Sequence, residues 1–554
     1  MHTNRITIGI VPVLAMACCL ALGGLAAPAA AKTIVVTTLT DTADPPFNAD
    51  GPCGTGTISD LPGTDHLISL REAIIAANNT NGADTITFDP SLSGGTIAVK
   101  FDDLDADGDP DPLPALCGGQ TSITGDLNGD DVPDITLEGA AFPVASPPVA
   151  AAGILVLSSH NTIMGLRVQH FPIGIRVRAG DFTNPGTVEH TTVTNNIVAE
   201  SKIDGIDVRT GNVPGSLVAH TTLTHNVVMQ NARHGTLVLA SLSAAGSDTQ
   251  ITYTTISDNE IMGNGALGIL MFSLGDNNVI TGATLAHNTI SGNTFSGINV
   301  FGGSGGADEN TLEVDIKDNT VTDNGRDGID VLAGFNSSTH NHVEVNIQDN
   351  TITDNGSDGI DVVPSSDNSS NNHLVAQIRG NTLERHPISG IEAIAAVGAV
   401  FSPTGTSNDN VLEVRIERNT VEQTGTGMYI SGGEGSPDGR DNAVADHNQT
   451  MAVVKDNMVG STFRGLELYA GDAGLASANT TEVRVVHNTV CNNTDADIIG
   501  EGGYPGAPGF SPNLGTGNVL AGEIFQNTAT TVTVADGTPG NTATVTQFNN
   551  ILCP

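Results

Sequence analysis

Residues Thr311–Gly334 read TLEVDIKDNTVTDNGRDGIDVLAG, and the period of their hydrophobic positions decides the fold. Leu312, Val314 and Ile316 alternate with Glu313 and Asp315; Val321 stands between Thr320 and Thr322; Ile329 and Val331 alternate again. A period of two places successive side chains on opposite faces of a strand, so the segment holds three short strands. Asn or Gly separates them. These residue types reach left-handed backbone angles at low cost, which sharp bends between strands require.

The segment recurs. Aligned on its first Asn, the equivalents are Asn196, Asn226, Asn259, Asn288, Asn319, Asn350, Asn381, Asn419, Asn457 and Asn488, with gaps of 29 to 38 residues. Two residues later the side chain is aliphatic in every unit, from Val198 to Val490, and nine residues later Gly recurs from Gly205 to Gly390. Gly427 and Gly465 fall one place earlier, and Gly165 with Gly174 marks a further unit. A second Asn follows five places after the first, at Asn231, Asn264, Asn293, Asn324, Asn355 and Asn493. Three strands per turn, stacked turn on turn, describe an all-β parallel solenoid of about eleven or more coils. Each Asn, such as Asn259, Asn288, Asn319, Asn350 or Asn381, then sits above its equivalent at the ~4.8 Å strand spacing, where amides can hydrogen-bond along a ladder. Longer polar stretches after the third strand, such as Phe335–His342 and Ser365–His373, project together on one side.

A solenoid has two raw ends that need covering. Ser69–Asn78 reads as a helix with a capping box from Ser69 to Glu72 and an apolar stripe of Leu70, Ala73, Ile74 and Ala77. At the other end, Thr/Val runs around Val532–Val534 and Ala543–Val545 read as a small β cap. The chain thus divides into a leader (1–31), an N-terminal region with the helix and two acidic loops (32–153), the repeats (154–495) and the C-terminal β cap (496–554).

The leader has Arg5, an apolar run from Ile6 to Leu25 and Ala29-Ala30-Ala31 as a cleavage site, so a secreted or periplasmic location is expected. A lipoprotein reading through Cys18 lacks the aliphatic residue three places before it. No later run is long enough to span a membrane. In the 554 residues, 20 Lys+Arg face 61 Asp+Glu, a net charge of −41, with no Trp and aromatics at 3%. Such a charge repels phosphate polymers and excludes nucleic acid as a partner. Export permits disulfides, and the economical pairing is Cys53–Cys117 and Cys491–Cys553.

Ser69–Ile97, SLREAIIAANNTNGADTITFDPSLSGGTI, resembles the N-terminal CSLREA-type region of bacterial secreted right-handed parallel β-helix proteins, and the Asn/Gly repeats resemble the pectate-lyase-like coils that follow it. Ile68 stands where the family motif opens with Cys, so a family disulfide through that position is absent. The resemblance implies a single right-handed parallel β-helix and a secreted location; most members lack a defined activity.

Three sets of residues carry candidate chemistry. In GDLNGDDVPD, Asp126, Asn128, Asp130 and Asp134 alternate as in a calcium loop, and Asp103, Asp105, Asp107, Asp109 and Asp111 do so upstream. Alternating oxygens suit a hard cation of high coordination number, so Ca2+ is the expected cofactor; neither loop has the closing Glu of an EF-hand, and the alternative is a solvated acidic loop. On the third strand, with Ile329 and Val331 inward, Asp330 points outward together with Asp207, Asn299, Asp361 and Glu392, and Asp204, Asp327 and Asp358 form a row three residues earlier. Asp330, Asp361 and Glu392 are the catalytic candidates: carboxylates stacked roughly 5 Å apart repel, which raises a pKa or recruits a cation. Asp330 and Glu392, about 9–10 Å apart, approach the spacing of an inverting glycosidase pair, and Arg326 is near enough to serve a lyase. The plain alternative is an acidic face turned to water. His190 and His220 share one position in adjacent coils, and His225 and His287 share another two coils apart.

Three functions follow. A monomeric, calcium-stabilised β-helix displaying loops to an extracellular polysaccharide or cell-surface component leads. A polysaccharide lyase, hydrolase or epimerase using the carboxylate row is the alternative, and a periplasmic metal-handling protein using the histidines the second. No lyase, polygalacturonase or epimerase signature is present, and Tyr253, Tyr429, Tyr469 and Tyr504 are the only tyrosines available to stack on sugar rings.

Overall fold

The computed structural model of the protein describes residues 31–48, 53–100, 113–140, 151–243, 245–398, 405–434, 444–471, 475–503 and 516–553. In the unit quoted above, strands form at Thr311–Lys317, Thr320–Thr322 and Ile329–Phe335. Leu312, Val314, Ile316, Val321, Ile329 and Val331 are buried, as their alternation demands. Each strand pairs in parallel with its equivalent one coil later, placing Thr311 opposite His342, Thr320 opposite Thr351 and Ile329 opposite Ile360. Repeated along the chain, this step builds three parallel sheets around one continuous Val/Ile/Leu core. The first runs from Lys32–Val36 to Thr542–Phe548, the second from Thr96–Ala98 to Thr528–Ala529, and the third from Ala152–Val156 to Val532–Ala535.

The buried Asn side chains hold the bends. The amide N and Nδ2 of Asn319 both donate to Oδ1 of Asn350, at 2.9 and 3.0 Å, and Nδ2 also donates to the Leu285 carbonyl at 2.9 Å. The same pattern links Asn259, Asn288, Asn319, Asn350 and Asn381, and continues to Asn550. A second ladder joins Asn231, Asn264, Asn293, Asn324 and Asn355. A third, nine residues before the first in most coils, runs from Asn278 through Asn310, Asn341, Asn372, Asn410, Asn448 and Asn479 to Asn518.

The left-handed angle does not fall on the ladder Asn. It falls on the residue before it: His287, Asp318 and Asp349 have φ of 57°, 56° and 55°. The ladder Asn spends its side chain on buried bonds, while the preceding residue, turned toward solvent, is Asp, His, Asn, Arg, Gln or Gly. The recurring Gly is required by space rather than by φ. A Cβ on Gly328 would lie 2.4 Å from Cγ2 of Ile352 and 2.6 Å from the carbonyl of Gly359.

The helix forms at Leu70–Asn78, with the Glu72 amide donating to Ser69 Oγ at 3.1 Å and the Ser69 amide to Glu72 Oε2 at 2.9 Å. It is buried all round rather than along one stripe, from Leu70 to Ala77, and Arg71 pairs with buried Asp41 at 2.8 Å. The coils do not start at 154: Lys32–Val36 already pairs with Asp84–Phe88, and Thr96–Ala98 with Ile135–Glu138. Nor does a separate cap replace them after 495. Val519–Phe525 and Thr542–Phe548 each add a parallel strand to the first sheet, because Asn527 and Asn550 continue the ladder. Cys53–Cys117 and Cys491–Cys553 are disulfide-bonded, with Cα atoms 5.8 and 6.0 Å apart. The leader, apart from Ala31, lies outside the described residues.

Candidate functional site on the outer face of the third sheet

The third strand of each coil sends alternate residues outward, and parallel register stacks them. One column runs Arg176, Asp207, Leu237, Leu270, Asn299, Asp330, Asp361, Glu392, Tyr429 and Glu467. Asp330, Asp361 and Glu392 are consecutive in it and half-buried, so this is not a face of carboxylates in open water. Asp327 and Asp358, three residues earlier on their coils, are 7% and 5% exposed.

Hydrogen bonds organise part of the cluster. Asn299 Nδ2 donates to Asp330 Oδ2 at 2.7 Å, and Ser296 Oγ to Asp327 Oδ2 at 3.2 Å. The Asp358 amide donates to Asp327 Oδ1 at 3.1 Å, and the Ser389 amide to Asp358 Oδ1 at 2.6 Å. Ser389 Oγ donates to Glu392 Oε2 at 3.2 Å. Asp361 Oδ1 is buried with no hydrogen-bond partner among the described residues.

Burial is the largest force on these carboxyls and favours the protonated form. It pushes Asp330 up to about 7, with the Asp327 charge adding to it and the exposed Arg326 opposing. Asp358 rises to about 7 for the same reasons, burial and then Asp327. Asp361 is held well above the carboxylate range by burial and then by Glu392 and Asp330. Glu392 is also well above it, through burial, Asp358 and Glu434. At neutral pH the stack therefore carries protons and can donate as well as accept hydrogen bonds. Beside it the next outward positions are apolar: Val363, Ile394 and Val397 are buried together, with Leu332 and Tyr429 packed against them.

Asp207 is in the same column but differs in chemistry, because it is fully buried between Arg176 and Arg209. Reading the outward positions two and four residues after Gly174 and Gly205 reveals Arg176, Arg178 and Arg209, a signal present in the repeat frame. The histidines form a longer stack than two. His160, His190, His220 and Tyr253 lie ring on ring at 4.9, 4.7 and 4.9 Å, all exposed and all at left-handed bends. His225 and His287 also occupy left-handed bends.

In the acidic loop, Asp126 Oδ1 accepts the amides of Asn128 and Gly129 at 3.2 and 2.8 Å, and Oδ2 that of Asp131 at 3.0 Å. Asn128 accepts from Asp130 N at 2.9 Å, Asp130 from Val132 N at 3.0 Å, and Asp134 from Leu127 N at 2.8 Å and Ser93 Oγ at 2.6 Å. The loop's oxygens thus close on its own backbone rather than converge on a centre. Among the described residues, no group of three or more His, Cys, Asp or Glu is arranged to hold a metal ion. Asp103, Asp105, Asp107 and Asp109 lie outside the described residues.

Residues 149–402 match the family model described as right handed beta helix region, and the chain is a right-handed parallel β-helix protein. Solved structures similar to it include the mannuronan C-5 epimerase A-module of Azotobacter vinelandii, at 14% identity and TM-score 0.41, covering 73% of this chain and 90% of that one. The Dettilon tailspike protein matches at 15% identity and TM-score 0.40, covering 72% of this chain and 67% of that one. A tailspike of E. coli bacteriophage HK620, solved with a pentasaccharide, matches at 10% identity and TM-score 0.25, covering 73% and 69%. No curated protein sequence matches the chain. Among the described residues no helix is long and apolar enough to cross a membrane.

Proposed function

We propose that the protein is an exported β-helix that holds an extended glycan along the outer face of its third sheet, over Asp330, Asp361, Glu392 and Tyr429. The observation that supports this reading most is the in-register carboxyl stack, one group per coil. A glycan offers hydroxyls at regular intervals, and half-buried carboxyls that keep their protons meet them as donors and acceptors without adding charge to a chain at −41. Tyr429, opposite Glu392 in the pairing, supplies a ring for a sugar face. Export rests on the leader at 1–31. Calcium at the Asp126 loop belongs to the proposal as a stabiliser of the N-terminal coils, on the condition that Asp126 and Asp130 exchange their bonds to the loop's amides for the ion.

Binding of the purified chain to neutral and acidic polysaccharides, followed by affinity electrophoresis, tests it. Neutral glycans should retard the protein, and Asp361→Ala and Tyr429→Ala should each weaken the retardation. Binding unchanged in both variants would place the ligand elsewhere. A catalytic reading is favoured by one observation: the register sets Asp330 and Glu392 two strands apart, so that two carboxyls can flank one bond of a glycan. New reducing ends or unsaturated uronates in the same incubations would select it.

A further inference from the structure

Toward the N-terminus of the same face the chain reverses its charge. Arg176 and Arg178 on Ile173–Ala179, Arg209 on Ile206–Thr210 and Arg233 just ahead of Thr236–Ala240 lie on three successive coils, in a protein with 20 basic residues against 61 acidic ones. Two buried carboxylates serve them. Asp207 accepts from Arg176 Nε at 2.8 Å and from Arg209 Nε at 2.7 Å, and Asp204 accepts from Arg233 Nε at 2.9 Å. Among the described residues Arg209 makes its bonds to Asp207 alone. Arg178, in register with Arg209, makes no hydrogen bond among the described residues, and its buried Nε has no partner. Asp181 attracts Arg178, but its carboxylate already accepts the amides of Thr183 and Asn184 at 2.6 and 2.7 Å.

One coil on, the outward positions turn apolar. Leu237, Leu239 and Leu270 cluster with Phe272 on the outside of the sheet. Arginines and apolar wall close around a cavity of about 380 Å3, lined on one side by Arg176, Arg209, Arg233 and His234 and on the other by side chains that include Leu239 and Phe272. Its volume suits a small molecule rather than a polymer. A guanidinium receives a carboxylate through two parallel hydrogen bonds, and the wall rewards an apolar body with about 25 cal/mol for each Å2 it buries. The charge of the rest of the chain opposes a polyanion.

We propose that this cavity binds a small monocarboxylate with an apolar body, its carboxylate on Arg209 and its body against Leu239 and Phe272, while Arg178, in register with Arg209 and outside the lining, adds positive charge at the same end. The site is independent of the glycan reading, which uses later coils. Titration calorimetry of the full mature chain with octanoate tests it, with octanol and glucuronate as controls. Octanoate should bind at one site, about tenfold or more tighter than either control. Arg178→Gln, which removes that charge and breaks no hydrogen bond among the described residues, should weaken octanoate about threefold, and Phe272→Ala should weaken it while leaving glucuronate unchanged. Octanol binding as well as octanoate would remove the arginines from the account, glucuronate binding as well would remove the wall, and either overturns the proposal, as does no binding. Arg178→Gln carries the test if Phe272→Ala does not fold.

Discussion

Asp361 lies directly across from Asp330 in the parallel pairing of Ile329–Phe335 with Ile360–Ser366, so two carboxyls one strand apart share a half-buried face. Burial raises both; Asp327 adds to Asp330, and Glu392 with Asp330 adds to Asp361.

Stability should therefore fall as pH rises. An unfolded carboxyl titrates near about 4, while Asp330 and Asp358 hold their protons up to about 7. The stabilisation is full below about pH 4 and is lost as pH climbs through the folded values. The melting temperature should drop between pH 5 and pH 8, and Asp361→Asn should melt above the parent at pH 8 but near it at pH 4. Identical profiles for parent and variant would refute the coupling.

Asn350→Ala removes the acceptor for both the amide and the Nδ2 of Asn319. Each buried donor left unpaired costs about 1–3 kcal/mol, so urea denaturation should show a loss of about 3 kcal/mol or more. Asp318→Gly, at an exposed left-handed position, should change stability by less than about 1 kcal/mol.

Gly328→Ala forces a Cβ against Ile352 and the Gly359 carbonyl, and overpacking of this kind costs about 1–3 kcal/mol. At Gly305, where nothing lies within 4 Å and φ is +68°, Ala should pay only the left-handed penalty of about 1–2 kcal/mol. A Gly328→Ala variant that melts with the parent would contradict the close-packing explanation.

Calcium, if held by the Asp126 loop, should stabilise the chain by linkage. Chelation should lower the melting temperature, and Asp130→Asn should blunt that response. An unchanged melting temperature on chelation would remove calcium from the account.

Much of the fold was readable before any coordinates. The alternation of Leu312, Val314 and Ile316, the spacing of the ladder asparagines and the capping box at Ser69 and Glu72 are local patterns, and local sterics and hydrogen bonds act on them directly. The third ladder was equally readable, since Asn310, Asn341 and Asn372 keep a constant offset of nine residues from Asn319, Asn350 and Asn381. The bends are different: Asp318 and Asp349 rather than the ladder Asn carry the left-handed angle, and residue type does not distinguish a buried Asn from an exposed one.

The stacking of Asp330, Asp361 and Glu392 followed from the repeat frame, and so did mutual repulsion that raises a pKa, but burial, the larger cause, did not. Outward-facing and solvated are the same statement in a sequence. In the folded protein they separate, because Leu332, Val363 and Ile394 pack on the same face and withdraw the carboxyls from water. The sequence alone determined a parallel β-helix, its period and which residues share a column, since these depend on local periodicity repeated down the chain. Only the tertiary structure decided that one face runs from paired arginines through an apolar wall to buried acids, since burial and charge balance depend on neighbours some thirty residues apart.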